Sequence, residues 1–342
     1  MLEGFWSGVG EELSRHWVAR VLTPAFAFWA GGLALAWWNA NAAEVKAQGW
    51  ASALTALGAM LGALPVLAQG ALVIGGLAVV AASAVVAERL TVPLLRMLEG
   101  YWLRPAWLFD LLVGYRRWRH REVDKRFQKL EALHRRGGLS VAEYAELRRL
   151  RGEPAPDANR LADLEIRSRK GMTARQSSRR GRDQAWLRTT PMTDDLGMPT
   201  RLGDILRAAE HRPLSAYGLD AVICWGALWL TLPEFTRTEV SGARTALDSA
   251  VRGWLWGALF LVWTPVSLWA LLVGLLIPLL SYRFGILPRA ATFGEMIGLA
   301  FDLHRMGLYD ALHIPRPTTP EEERSRSGHL VTNALIGTLV AG

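Results

Sequence analysis

The chain has 342 residues, 51% of them hydrophobic, with 16 Trp, 33 Gly and a formal net charge of +8. Its single cysteine, Cys224, excludes an intrachain disulfide, a Cys-based zinc site and a CxxC redox pair. The positive excess is confined to the middle: Tyr115 to Arg212 holds 24 of the 39 Lys/Arg but only 14 of the 31 Asp/Glu.

Uncharged runs of membrane length flank this basic block, so the charge is better explained by membrane orientation than by nucleic acid, which is not expected as a partner. Met1 to Arg20 mixes Phe5, Trp6, Val9, Leu13 and Trp17 with charged residues at helical spacing, predicting an amphipathic helix on the membrane surface. Val21 to Trp38 carries no charge and predicts a first span over about 21–40, with Trp37 and Trp38 at its far interface. A signal peptide cleaved at Ala40–Asn41–Ala42 fits the long, partly acidic leader poorly. The loop Asn39 to Trp50 has few charges, whereas Arg15 and Arg20 precede the span and Arg89 and Arg96 follow the next one. That asymmetry places the N-terminus inside.

Ala51 to Ala87 is uncharged for 37 residues, about 56 Å of helix at ~1.5 Å per residue, too long for one crossing of a ~30 Å core. Pro65 is the natural break, giving a short helix at the outer face and a span over 66–87. Gly58 and Gly62 form a GxxxG pair, a candidate for close helix packing. From Leu90 to Trp118 aromatics alternate with Arg96, Arg104, Arg116 and Arg117, which predicts an interfacial segment along the inner leaflet, and residues 1–114 are taken as one membrane half.

The central region, 115–213, opens with a helical pattern over Arg119 to Arg151. Gly137 and Gly138 interrupt it, and Ser140 with Glu143 forms a capping box that starts a second helix. Residues 152–196 contain Pro154, Pro156 and few apolar anchors, and predict a mobile loop. Within it Arg175, Arg179, Arg180 and Arg182 are candidate lipid or partner contacts, since anionic headgroups and nucleic acid alike would supply phosphates to them. Leu202, Ile205, Leu206 and Ala209 predict a helix that Pro213 ends. Ala221 to Leu232 is apolar but too short to span, and predicts a buried or membrane-contacting helix.

Gly253 to Tyr282 is uncharged for 30 residues, with Thr264 and Pro265 at its midpoint and arginines at both ends. Positive charge on both sides predicts a transmembrane hairpin over 246–263 and 266–282 within region 214–288, the C-terminus returning inside. Its rival is one kinked span. Gly253 and Gly257 are further candidates for helix packing. Asp248 and Arg252, four apart, can pair along one face. The tail, 289–342, predicts an amphipathic helix, a linker-like PRPTTPEEERSRSG and a last apolar stretch too short to cross.

Two likenesses bear on these expectations. Lys129 to Leu150 resembles the short helix-turn-helix modules called short C-terminal domains, which implies an interaction or oligomerisation role. Met198 to Glu234, with Leu90–Trp102 and Gly294–Leu312, resembles a group of uncharacterised multi-pass membrane proteins of high-GC bacteria. That likeness implies one integrated architecture and carries no activity.

The expected fold is therefore an all-α membrane protein with about four transmembrane helices, interfacial helices and a helical cytoplasmic region, in the inner (cytoplasmic) membrane with both termini cytoplasmic. No HExxH, Walker A, GxSxG or Rossmann pattern occurs, so no catalytic, metal or cofactor site is expected. Spans without internal charge also weigh against a proton-coupled transporter. What remains is a non-catalytic scaffold whose basic region meets a partner or the inner leaflet, or a homo-oligomeric pore gated by that region.

Overall fold

Helix-type apolar periodicity runs through most of the sequence, and the backbone follows it. The computed structural model describes residues 2–101, 106–191 and 197–337, with side chains from residue 23 onward apart from 44, 48, 53, 54, 61 and 106. Every regular element among the described residues is helical. In chain order these are α1 (Leu2–Gln48), α2 (Trp50–Gly62), α3 (Val66–Arg89), α4 (Thr91–Glu99), α5 (Ala106–Arg135), α6 (Val141–Gly152), α7 (Ala158–Lys170) and α8 (Ala174–Arg188). There follow α9 (Arg201–Tyr217), α10 (Ala221–Thr231), α11 (Glu234–Leu259), α12 (Leu268–Leu280), α13 (Leu287–His304), α14 (Met306–Ala311), α15 (Pro320–Glu322) and α16 (Gly328–Ile336). The chain divides into two compact units, Met1–Leu98 with Glu234–Met296, and Glu99–Pro233 with Ile297–Gly342.

In the first unit, the expected surface helix and first span are one continuous helix of 47 residues, about 70 Å long at ~1.5 Å per residue. Pro24 lies inside it without a break, and the alanines between Asn39 and Gln48 extend it through the expected outer loop because Ala is the strongest helix former. The apolar face predicted for Met1 to Arg20 falls outside the described side chains. Pro65 does separate α2 from α3: it stands at the N-cap of α3, where its missing N–H leaves no helical bond unmade. Packing centres on Ala25, Phe28, Ala84, Ala87 and Trp256, with Trp29 donating from Nε1 to Ser83 Oγ at 3.2 Å.

The run Gly253 to Tyr282 folds back on itself. After α11 a tight helical turn, Phe260–Trp263, leads through Thr264 and Pro265 into α12, and a π-helical segment, Ser281–Ile286, joins α12 to α13. Ser281 Oγ donates to the Ala250 carbonyl at 3.2 Å. A Cβ on Gly274 would lie 2.7 Å from Leu261 Cδ2, so the two arms are antiparallel and the single kinked rod is excluded.

Among the described residues two helices are long and apolar enough to cross a membrane, Val66–Arg89 and the 37-residue Leu268–His304. The pair α9 and α10, bent by 83°, makes a third if it crosses as one. The expected spans over 21–40 and 246–263 are not in that set. Only part of the first lies among residues with described side chains, and Arg244, Asp248 and Arg252 leave α11 with a short apolar end.

The second unit corrects the expected mobile loop over 152–196: most of it is helix. Asp157 caps α7 by accepting from Asn159 N and Arg160 N, and a Thr173–Gln176 capping box starts α8. Leu161 and Leu164 of α7 pack with Leu139, Leu147 and Leu150. Ion pairs Arg160–Glu146 at 2.9 Å and Arg151–Glu165 at 3.0 Å hold α7 to α6 where apolar anchors are sparse. Residues 192–196 lie outside the described residues. The predicted Ser140–Glu143 capping box is present in both directions.

Pro213 sits buried inside α9, which runs on to Tyr217 and stops at Gly218, whose φ of 72° suits a helix C-terminus. The expected linker after Pro315 is also partly ordered as helix. Thr319 caps α15, a π-helical turn Glu323–Ser327 follows, and α16 sends Val331 into a core with Leu219, Cys224, Leu228, Phe301, Leu308 and Tyr309.

Candidate membrane and partner interface

The basic region is organised by α5 and α8, which lie antiparallel. Arg126 makes a bidentate pair with Asp183, Nε to Oδ2 at 2.9 Å and Nη2 to Oδ1 at 3.0 Å. One helical turn and more along, Arg180 Nε donates to Glu131 Oε2 at 2.7 Å, and this bond holds the Glu131 carboxyl below the usual carboxylate range. At the other end His120 lies 5.9 Å from Trp186, whose ring also carries the Arg201 guanidinium at 4.6 Å. Arg116 reaches inward to Asp204, which also accepts from Met198 N at 3.0 Å. Much of the charge read from the sequence as an orientation signal is thus spent inside the unit.

The four candidate arginines divide accordingly. Arg175, Arg179 and Arg182 follow i, i+4, i+7 spacing on α8, share one outward face and are exposed. They make no ion pair among the described residues. Arg180 turns the other way as a brace and is not available to a partner. What sequence reasoning missed is the outward face of α5. It placed Trp107, Tyr115, Trp118, Arg116 and Arg117 in one interfacial band, but Arg116 is inward, and the row that faces out continues into Lys125 and Lys129. Helical spacing was the available signal.

The four candidate packing glycines also part company. A Cβ on Gly257 would come within 2.5 Å of Ile277 Cγ2, so α11 and α12 approach here only because no side chain intervenes. Gly253 faces Ser281 Oγ more loosely, at 3.8 Å, whereas Gly58 and Gly62 have nothing within 4 Å among the described residues. A closer approach in the first unit lies at a glycine that no sequence motif marks: a Cβ on Gly32 would overlap the Trp263 ring.

Nothing among these groups converges as a reaction centre. Asp302 accepts from Tyr217 Oη at 2.7 Å and Arg212 Nη2 at 2.6 Å, an arrangement that holds α9 to α13. Asp248 pairs with Arg244 at 3.1 Å instead of the expected Arg252, which donates to Ser249 Oγ at 3.1 Å. A cavity of 410 Å³ bordered by Phe109, Asp110, Val113, Arg117, Met198 and Arg207 has no nucleophile beside a base among the described residues that line it. Among the described residues no three His, Cys, Asp or Glu side chains gather as metal ligands. No protein-family model, curated protein or solved structure matches the chain.

Proposed function

We propose that the chain is a non-catalytic anchor of the inner (cytoplasmic) membrane, whose spans hold the basic helical unit at the cytoplasmic surface for a protein partner or the inner leaflet. The observation that carries this reading is a contrast between two helices. In α3 only 11% of the most apolar window is buried by protein, which leaves it suited to lipid, while α8 is braced internally by Arg180 and Asp183 and turns Arg175, Arg179 and Arg182 outward. A braced helix with an unpaired cationic face is a recognition surface rather than a reaction centre. The likeness of Lys129–Leu150 to short helix-turn-helix modules supports the same role. Four crossings, α1 and α3 together with the α11–α12 hairpin, return both termini to the cytoplasm and satisfy the distribution of Lys/Arg.

Single cysteines at Ala47 and Arg179 in a Cys224→Ser background test it. An impermeant maleimide applied to intact cells is expected to label Ala47→Cys and to leave Arg179→Cys untouched. Labelling of Arg179→Cys from outside would refute the orientation.

A homo-oligomeric pore is the second reading, favoured by one observation: Gly70, Gly75 and Gly76 of α3 have nothing within 4 Å among the described residues, an open small-residue surface on a candidate span. Reproducible ion-selective flux from proteoliposomes, with a multimeric mass in bilayer discs, would establish the pore. A silent monomer would remove it.

A further inference from the structure

Among the described residues, no other element covers the outward face of α5, an aromatic surface that leads into a cationic one. Positions spaced by four and seven share a helix face, so Trp107, Leu111 and Trp118 line up opposite Val113, Arg116, His120 and Val123, which turn into the unit. The three are 66%, 60% and 60% exposed, and Tyr115 borders them with its ring 5.9 Å from that of Trp118. The row covers about 17 Å of helix at ~1.5 Å per residue. The same line runs on into exposed Lys125 and Lys129, flanked by exposed Arg119 and Arg121, while Asp110 and Glu122 are the exposed acids between 107 and 129.

A convex helix face offers no groove for an extended peptide, and its order of residues is that of a headgroup layer. Trp and Tyr settle at the membrane–water boundary, where the ring body is apolar and the polar edge is wet. Lys and Arg beside them are drawn to anionic lipid. We infer that this face of α5 lies on the anionic surface of the bilayer, with Trp107, Leu111 and Trp118 entering the headgroup layer and Arg121, Lys125 and Lys129 meeting lipid phosphates. The inference rests on the anchor reading, because that reading brings a bilayer to the helix.

Nitroxide labels on the full chain in a Cys224→Ser background separate the two. Labels at Leu111→Cys and Trp118→Cys are expected to be more accessible to oxygen than to a water-soluble nickel chelate in vesicles of phosphatidylcholine with phosphatidylglycerol. That preference is lost in phosphatidylcholine alone, and in a variant with Arg121, Lys125 and Lys129 replaced by Glu. Each cation removed shifts the balance between adsorbed and lifted helix about fivefold. A label at Val73→Cys on α3 reports insertion of the span. Nickel access at 111 and 118 with oxygen access at 73 overturns the α5 inference and leaves the anchor standing; nickel access at all three sinks both. Labels shielded from both reagents, in detergent and vesicles alike, would mean that a second copy covers the face. A lipid preference indifferent to headgroup charge would also overturn the proposal as stated.

Discussion

Trp263 occupies the space that a side chain on Gly32 would need, so that the indole of one helix end lies against bare backbone of another. Gly31 gives Phe260 similar room, with a Cβ there 3.3 Å from the ring, and Phe28 completes the cluster at 6.1 Å from Trp263. Gly32→Ala is therefore expected to lower stability by about 1–3 kcal/mol, the usual range for overpacking. Gly58→Ala is expected to cost nothing in the same protein, since no described residue lies within 4 Å of a Cβ there. Thermal unfolding of the two variants in one detergent checks the contrast, and equal losses would show that close packing is not what distinguishes the sites.

Glu323 is almost wholly buried and takes Arg305 Nε at 2.8 Å, while the Arg305 guanidinium lies 4.0 Å over the Tyr217 ring and donates to the Asp302 carbonyl at 2.6 Å. Burial pushes the Tyr309 phenol up, so it stays protonated and faces the same carboxylate. Removing the carboxylate strands a largely buried cation, a change that costs about 3–5 kcal/mol. Arg324 and Arg326 are exposed, and the helical backbone that carries them is what resists cleavage. Glu323→Ala is expected to free the C-terminal segment and let trypsin cut after them, while wild-type protein resists. Identical digestion of the two proteins would show that the segment is held some other way.

These sites mark where sequence reasoning stopped. Pro65, the Ser140–Glu143 box and the reversal at Thr264–Pro265 were legible because each acts through its own neighbours: a missing N–H, a reciprocal cap, a turn between arginine-bounded runs. The direction of Arg180 was not legible, since Glu131, 49 residues earlier, sets it. Glu323 stands in a segment with the composition of a linker, and only Arg305 and Tyr309 make it part of a core. The helices α7 and α8 read as loop because Glu–Arg pairs and caps do work there that leucines do elsewhere, and a search for apolar stripes does not count them. The outward row on α5 is half legible: its aromatics stand out in the sequence, but helical spacing alone must separate the face they share with Lys125 and Lys129 from the inward Arg116.

Acid should loosen the α6–α7 hairpin before the rest of its unit. Glu143 accepts from Ser140 N at 2.8 Å and also pairs with Arg167; the hydrogen bonds with Ser140 first, and the Arg167 guanidinium after them, lower its carboxyl to about 2 from the ordinary 4.5. A carboxyl whose pKa is depressed by folding contributes stability above its unfolded value, and that contribution is lost as pH falls through the folded one. The window is therefore from pH 4.5 down to about 2, and Glu146, lowered by Arg160, acts in the same direction. Hydrogen exchange across Leu139 to Lys170 is expected to speed up through that window relative to α9, after correction for the intrinsic pH dependence of exchange. Glu143→Gln should start less stable and show a smaller further change. Parallel behaviour of wild type and variant would remove Glu143 as the titrating group.

Cys224 is fully buried in the core of the second unit, with its Sγ 3.7 Å from Thr332 Oγ1. A thiol with no exposed surface is alkylated only when the surrounding helices open. Even an opening cost of ~3 kcal/mol slows labelling about a hundredfold relative to the unfolded chain. Native protein is thus expected to resist N-ethylmaleimide and to take up one equivalent in denaturant. Val331 and Thr332 cover this thiol from α16, which follows directly on the turn held by Glu323. Glu323→Ala should therefore speed native labelling of Cys224 even though the two residues are far apart in sequence. If that variant becomes open to trypsin while Cys224 stays protected, the C-terminal segment is released without α16 leaving the core, and the two effects are not one motion.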